Sequence, residues 1–224
     1  PTCGKGTLNL LHESLFQSET AKSKLARADP AWEPEWVHGV FSCIFHCTNI
    51  WCQEHVACSG TVEYSVFYFG EDEYSNERVV EASFTPQHFH PPLVLLDIPR
   101  NCPKTVSKQL TESFRVFYLS PAAALNSARS AIEMLLDELL VPRLAGKSRL
   151  NLHDRIDLLP DLYQDLKELL TAVKWLGNAG SHEGSIVVRR DVCDAYDLLE
   201  YVLTEISEGK ARKLKEIAVA INKQ

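Results

Sequence analysis

Hydrophobic positions along the chain change period near residue 100. Before that point they alternate. Val37, Gly39, Phe41, Cys43 and Phe45 share one face of a predicted strand, with His38, Ser42 and His46 on the other. Val62, Tyr64, Val66 and Tyr68 repeat the two-residue period, opposed by Thr61, Glu63 and Ser65. An acidic turn over residues 70–76 leads into a third strand over 78–84. Three strands separated by turns predict an antiparallel sheet. Ahead of it, Leu8, Leu11 and Leu15 carry helical spacing and predict a short helix. Residues 29–36 hold two prolines and two tryptophans and read as an ordered loop. Pro86, Pro91, Pro92 and Pro99 predict an extended connector between two halves.

After Cys102 the period becomes 3.6. Val106, Leu110, Phe114 and Phe117 mark a first bundle helix opened by Pro103. Ser120 is a natural N-cap ahead of Pro121, and Leu125, Ala128, Ile132, Leu135, Leu136 and Leu139 line the next helix until Pro142. Leu152, Ile156 and Leu159 predict a short third helix. Leu162, Leu166, Leu169, Val173 and Leu176 predict a fourth that ends at Gly177. Val192, Ala195, Leu199, Val202 and Ile206 predict a fifth that stops at Gly209. The fold class is therefore α+β: a small antiparallel sheet with its connector over residues 1–100, then an antiparallel helical bundle over 101–224.

Composition is that of a folded protein, with 45% apolar and 24% charged residues. The formal charge of −7 argues against non-specific coating of nucleic acid. No apolar run approaches the roughly 18 residues of a membrane span, and the first residues carry no signal-peptide core. A soluble, cytoplasmic protein with no membrane partner is the expectation. The final stretch departs from the rest: Lys210, Arg212, Lys213, Lys215 and Lys223 stand against the single acid Glu216. Such a basic tail can touch RNA or an acidic partner, although a solvated helix end is the simpler reading.

Cysteine usage adds chemistry. Five of seven cysteines fall in the first 58 residues, an odd and uneven set that argues for a reducing compartment rather than a disulfide scaffold. Cys47 and Cys52 form a spaced pair after a strand, and Pro1, Thr2, Cys3 and Gly4 look like the second half of a Cys-Pro-x-Cys-Gly knuckle. Cys3, Cys47 and Cys52 are thus the candidate ligands of a structural zinc, which makes residues 1–100 a zinc-ribbon-like domain. A cysteine preceding Pro1, Cys43 or His46 are the choices for a fourth ligand. Buried free thiols are the alternative. His88 and His90 share a strand face but read as part of a packed connector. His12, His38, His55 and His153 lack a persuasive acidic or cysteine partner.

The segment from Lys174 through Trp175, Gly177, Asn178, Gly180 and Ser181 to His182 closes the fourth helix. Gly177 or Gly180 can take positive φ there, and Lys174, Asn178 and His182 offer a cation, an amide and an imidazole within a short span.

Residues 99–206 resemble the HEPN superfamily of helical bundles, and specifically its bacterial group called domain of unknown function 4145. The resemblance rests on residues 128–136, on residues 177–182, on residues 194–199, and in the first half on Cys47, Cys52, Gly60 and residues 98–103. It implies metal-independent ribonuclease chemistry in a dimer, often in toxins or phage defence, with an arginine four to six residues before a histidine. His182 matches that histidine and would move protons. The arginine that would stabilise the phosphorane is missing, because Trp175, Leu176 and Gly177 occupy its permitted places. Lys174 lies further upstream and lacks the guanidinium fork. Arg129 is a substitute, but Glu133 one turn on makes an i,i+4 ion pair the simpler assignment.

Two functions follow. The first is a non-catalytic, zinc-stabilised HEPN-like module that binds RNA or a protein through Lys174, Asn178, His182 and Arg129, in bacterial defence by analogy. The alternative is a HEPN-type ribonuclease with His182 as the catalytic group of an altered site. A homodimer through the Trp175–His182 region is expected in either case. No dinucleotide fingerprint, P-loop, nucleophile elbow or HExxH motif is present in the sequence.

Overall fold

A computed structural model describes residues 1–69, 77–179 and 186–222, and divides the chain into two compact units, Pro1–Leu93 and Val94–Gln224. In the first unit, β1 (Leu8–Glu19), a short helix α1 (Ala21–Ala26), a 3-10 turn (Pro34–Trp36), β2 (His38–Cys47), β3 (His55–Phe69) and β4 (Glu77–His90) follow in order. The strands form one antiparallel sheet in the order β1-β2-β3-β4. The alternation expected of β2 is observed: Gly39, Phe41, Cys43 and Cys47 are buried while His38, Val40, Ser42 and Ile44 are exposed. Phe41, Cys43 and Cys58 form a small core that Leu10, Leu15, Phe45 and Phe89 cover, and Phe84 meets Phe41 edge-on.

Two expectations for this unit are corrected. The Leu8, Leu11, Leu15 segment is an edge strand, not a helix. Its pairing with β2 shifts between Leu11 and Phe16, and the Ser14 hydroxyl fills the break by accepting from the Ile44 N–H at 2.8 Å and donating to the Leu11 carbonyl at 2.6 Å. The bulge resets the two-residue phase, so two short alternating runs imitate helical spacing. The connector also begins later than expected. Pro86 opposes Gly60 on the edge strand, and His88 and His90 are exposed strand residues opposite Ser59 and Ala57. An edge position tolerates a proline that cannot donate to the ladder.

The second unit carries α2 (Lys104–Val116), α3 (Pro121–Glu138), a two-stranded hairpin of β5 (Leu144–Ala145) and β6 (Ser148–Arg149), α4 (Leu152–Asp157), a 3-10 segment (Asp161–Leu166), α5 (Lys167–Ala179) and α6 (Arg189–Asn222). The predicted faces of α2 and α3 are buried, and the Ser120 side chain caps α3 by accepting from the Ala123 N–H. Leu96 of the connector is buried in the same core. One polar chain crosses it: Ser113 donates to the Ala124 carbonyl at 2.6 Å and lies 2.7 Å from the Tyr196 hydroxyl.

Three helix assignments differ from the sequence reading. Residue Tyr163, with φ −123° and ψ 15°, interrupts the fourth helix, so α5 starts at Lys167 and Leu162 is exposed. Its buried face uses Leu170 and Val173, and it continues past Gly177 to Ala179. Gly209 does not stop the last helix, which runs on through the basic stretch to Asn222. Among the described residues, no helix is long and apolar enough to cross a membrane.

Candidate functional site

The three predicted metal ligands come together. The Sγ atoms of Cys3, Cys47 and Cys52 all lie within 4.8 Å of one another, with Cys3 and Cys47 separated by 3.7 Å. Two thiolates on a tetrahedral ion with Zn–S bonds of 2.3 Å stand about 3.8 Å apart, so the spacing is that of shared ligation. It is far beyond a disulfide bond.

Each cysteine has a local reason for its place. Gly4 takes φ +60° and turns the chain after Cys3, and the Lys5 N–H donates to the Cys3 sulfur at 3.5 Å. Cys47 is the last residue of β2, and its N–H donates to the Glu54 carbonyl at 2.8 Å. The Asn49 carbonyl accepts from both the Cys52 and Gln53 N–H groups, and the Asn49 side chain accepts from the Trp51 N–H. The Glu54 carboxylate accepts from the Thr2 N–H at 2.7 Å and from the Thr2 hydroxyl, which ties the Cys3 turn to the second loop. Those two bonds hold Glu54 below the usual carboxylate range. Gly6 is required by space, because an added Cβ would overlap the Cys47 sulfur and lie 3.0 Å from Asn49.

The sulfurs are electrostatically unequal. Donation from the Lys5 N–H leads the effects that bring the Cys3 thiol down to about 6, whereas burial pushes Cys47 up. A lowered thiol supplies the thiolate that a metal needs. Cys43 and His46 do not join the cluster. Cys43 lies four residues back along β2 opposite Cys58, where burial raises its thiol and pushes Cys58 up to about 12. His46 faces away from Cys47 because adjacent strand residues point to opposite sides. One histidine expectation is corrected as well: His38 opposes Glu63 across the ladder, with Nδ1 3.6 Å from the carboxylate.

Of the expected binding residues of the second unit, Lys174, Asn178 and Arg129 lie among the described residues. Lys174 is buried and its ammonium sits 3.8 Å from the centroid of the Trp175 ring, itself exposed. Arg129 makes the anticipated ion pair with Glu133 at 3.4 Å. Gly177 is an interior helix residue, not a positive-φ turn, and an added Cβ would stand 2.8 Å from the Arg129 Cβ. Asn178 is half-buried. His182, Gly180 and Ser181 lie outside the described residues, as does Lys223 of the tail.

Sequence reasoning missed a cavity of about 300 Å³ on α3, the hairpin and α4, lined by Arg129, Glu133, Arg143, Arg149 and Arg155 among others. Arg155 is buried. Its guanidinium donates to Asp137 at 2.7 Å and to the Glu133 and Val141 carbonyls. Arg143 pairs with the same Asp137. The available signal was the recurrence of arginine every six residues at 143, 149 and 155.

Fold and site define an α+β chain with a three-thiol cluster on an antiparallel sheet and an arginine-lined cavity on a helical unit. Residues 111–223, half of the chain, match the family described as "Domain of unknown function (DUF4145)", and the chain belongs to that family. Residues 1–89 match a second description, "Domain of unknown function (DUF8608)". Cys47, Cys52 and Gly60 therefore fall in the DUF8608 match, not in the bundle family to which their resemblance was assigned. No curated protein and no solved structure matches the chain.

Proposed function

We propose that the chain is a non-catalytic interaction module: a HEPN-like bundle joined to a zinc-ribbon-like sheet, with zinc held by Cys3, Cys47 and Cys52 plus a fourth ligand in a purely structural role. The observation that carries the structural role of zinc is the 3.7 Å sulfur separation within an all-thiol set. Thiolate-only sites are structural by habit, since soft anionic sulfur leaves the ion little Lewis acidity to spend on a substrate. Zinc would also fix the loop that displays Ile50 and Trp51, the latter 90% exposed. An aromatic presented on a rigid loop suits an interface anchor. One of the expected RNA contacts, Lys174, is buried against Trp175, which favours a protein partner. Exposed Trp175 serves as the anchor of a homodimer, which sedimentation as a monomer at high micromolar concentration would refute.

The ribonuclease alternative needs an arginine to serve with His182, and the substitute Arg129 is ion-paired with Glu133 at 3.4 Å. Incubation of the full chain with labelled total RNA tests the reading. No cleavage is expected from the native protein or from His182→Ala. Metal-independent cleavage that disappears in His182→Ala overturns the non-catalytic assignment.

A further inference from the structure

The arginine cavity has a charge and hydrogen-bond imbalance that the fold leaves in place. Its four guanidiniums, Arg129, Arg143, Arg149 and Arg155, are met by two carboxylates, Glu133 and Asp137. Arg149 has no carboxylate partner among the described residues, although pairing of β6 with β5 fixes its backbone opposite Leu144. Arg155 is only 3% exposed, and its Nε is buried without a hydrogen-bond partner. The Nε of Arg129 is in the same condition. Buried polar groups without partners are uncommon because each forfeits its hydration.

From this geometry we infer that the cavity binds a phosphomonoester dianion. Four positive charges against two negative ones leave a deficit that a dianion balances and a singly charged phosphodiester does not. Guanidinium forks match the tetrahedral array of phosphoryl oxygens, and exposed Arg149, without a carboxylate partner among the described residues, has its fork free to offer to them. A volume of about 300 Å³ suits the phosphoryl end of a small ligand rather than a passing polymer backbone. The phosphoryl group can come from a small phosphorylated metabolite or from the 5′ end of a nucleic acid. The lining residues include none of the three cysteines, so the site stands apart from the zinc-stabilised module proposed above.

Titration calorimetry on the zinc-loaded full chain at low salt tests the inference with inorganic phosphate, adenosine 5′-monophosphate, adenosine, and one short oligoribonucleotide bearing either a 5′-phosphate or a 5′-hydroxyl. Phosphate and the monophosphate are expected to bind, and adenosine is not. A 5′-phosphorylated oligonucleotide that outcompetes the monophosphate assigns the source to nucleic-acid ends; the reverse order assigns it to small metabolites. Arg149→Ala should weaken binding about tenfold or more, the usual loss for a charge-assisted contact, and Arg149→Glu should abolish it. Arg149 is exposed, so neither change threatens folding, which circular dichroism verifies. Lys147→Ala, an exposed charge on the same hairpin but outside the lining, should bind as the native chain does. Equal binding of the two oligonucleotide forms, absence of binding by every dianion, or native affinity in both Arg149 variants overturns the inference.

Discussion

Gly177→Ala isolates how α3 and α5 meet. The added Cβ would stand 2.8 Å from the Arg129 Cβ, 3.1 Å from its Cδ and 3.3 Å from the Leu125 carbonyl oxygen. Carbon atoms in ordinary contact sit about 3.5–4.0 Å apart, so roughly 1 Å of separation must be found. The Arg129 Cβ is fixed to the backbone of α3 and cannot swing away, so the helices themselves must part. Leu125 and Ala128 on one side and Leu170 and Val173 on the other are fully buried near that crossing, and parting loosens them too. Overpacking of this kind costs about 1–3 kcal/mol. Removing a mid-helix glycine returns about 1 kcal/mol, because alanine restricts the unfolded chain. The net expectation is a loss of up to about 2 kcal/mol, a fall in Tm of up to roughly 10 °C for the helical unit. Gly209→Ala supplies the control. It lies within α6, and its added Cβ meets nothing within 4 Å, so the same substitution should stabilise by up to about 1 kcal/mol. Thermal and urea unfolding followed by helical circular dichroism reads both. If Gly177→Ala raises stability as Gly209→Ala does, the close approach of α3 and α5 is not as described.

Three further outcomes are expected. Metal analysis of protein purified without chelator should give about one zinc per chain, and Cys47→Ser should unfold the sheet unit while the helical signal survives, since a structural zinc contributes on the order of 10 kcal/mol; metal-free native protein refutes this. Ser113→Ala should destabilise more than Tyr196→Phe, by about 1–3 against about 1 kcal/mol, because loss of Ser113 strands the buried Tyr196 hydroxyl whereas Ser113 keeps its bond to Ala124 when Tyr196 is changed; equal urea midpoints would contradict it. Asp137 is held below the usual carboxylate range by Arg143 first and by Arg155. Its contribution is therefore complete above the ordinary titration near 3.9 and lost as pH falls through the lowered value, so the native urea midpoint should drop more steeply with acid than that of Asp137→Asn; parallel curves would remove the linkage.

The parts of the fold that were legible in the sequence are those in which one local rule acts alone. β2 and β3 alternate because one face is buried, and α3 starts at Ser120 because cap and proline agree there. Where packing competes with a local rule, packing wins. Glycine ends helices when its flexibility is the controlling factor, yet Gly177 is retained for its lack of a side chain, and Gly209 is passed over by a helix that runs on to Asn222. The kink at Tyr163 turns α5 so that Leu170 rather than Leu162 is buried. No spacing rule contains that rotation. β1 failed for a different reason: a bulge changes the phase of a strand, and Leu8, Leu11 and Leu15 carry no sign that Ser14 will replace a missing ladder bond.

The two sites differ in legibility for a physical reason. A thiolate cluster is written in residue type, because cysteine is scarce and tetrahedral ligation demands several within one sphere; Cys3, Cys47 and Cys52 could be named before any coordinates. An arginine is ordinarily a solvated surface charge, and in a chain of net charge −7 nothing in the composition suggests that four of them converge. What converts them into a site is burial of Arg155 behind α3, where Asp137 and two backbone carbonyls satisfy its terminal nitrogens and leave Nε without an acceptor. That arrangement depends on how far α4 and the β5–β6 hairpin stand from α3, a tertiary quantity. The local field in the cavity is consequently opposite in sign to the protein as a whole, and an anion that approaches must be drawn by these few fixed donors at short range, since at ordinary ionic strength charges more than about 8–10 Å away are screened.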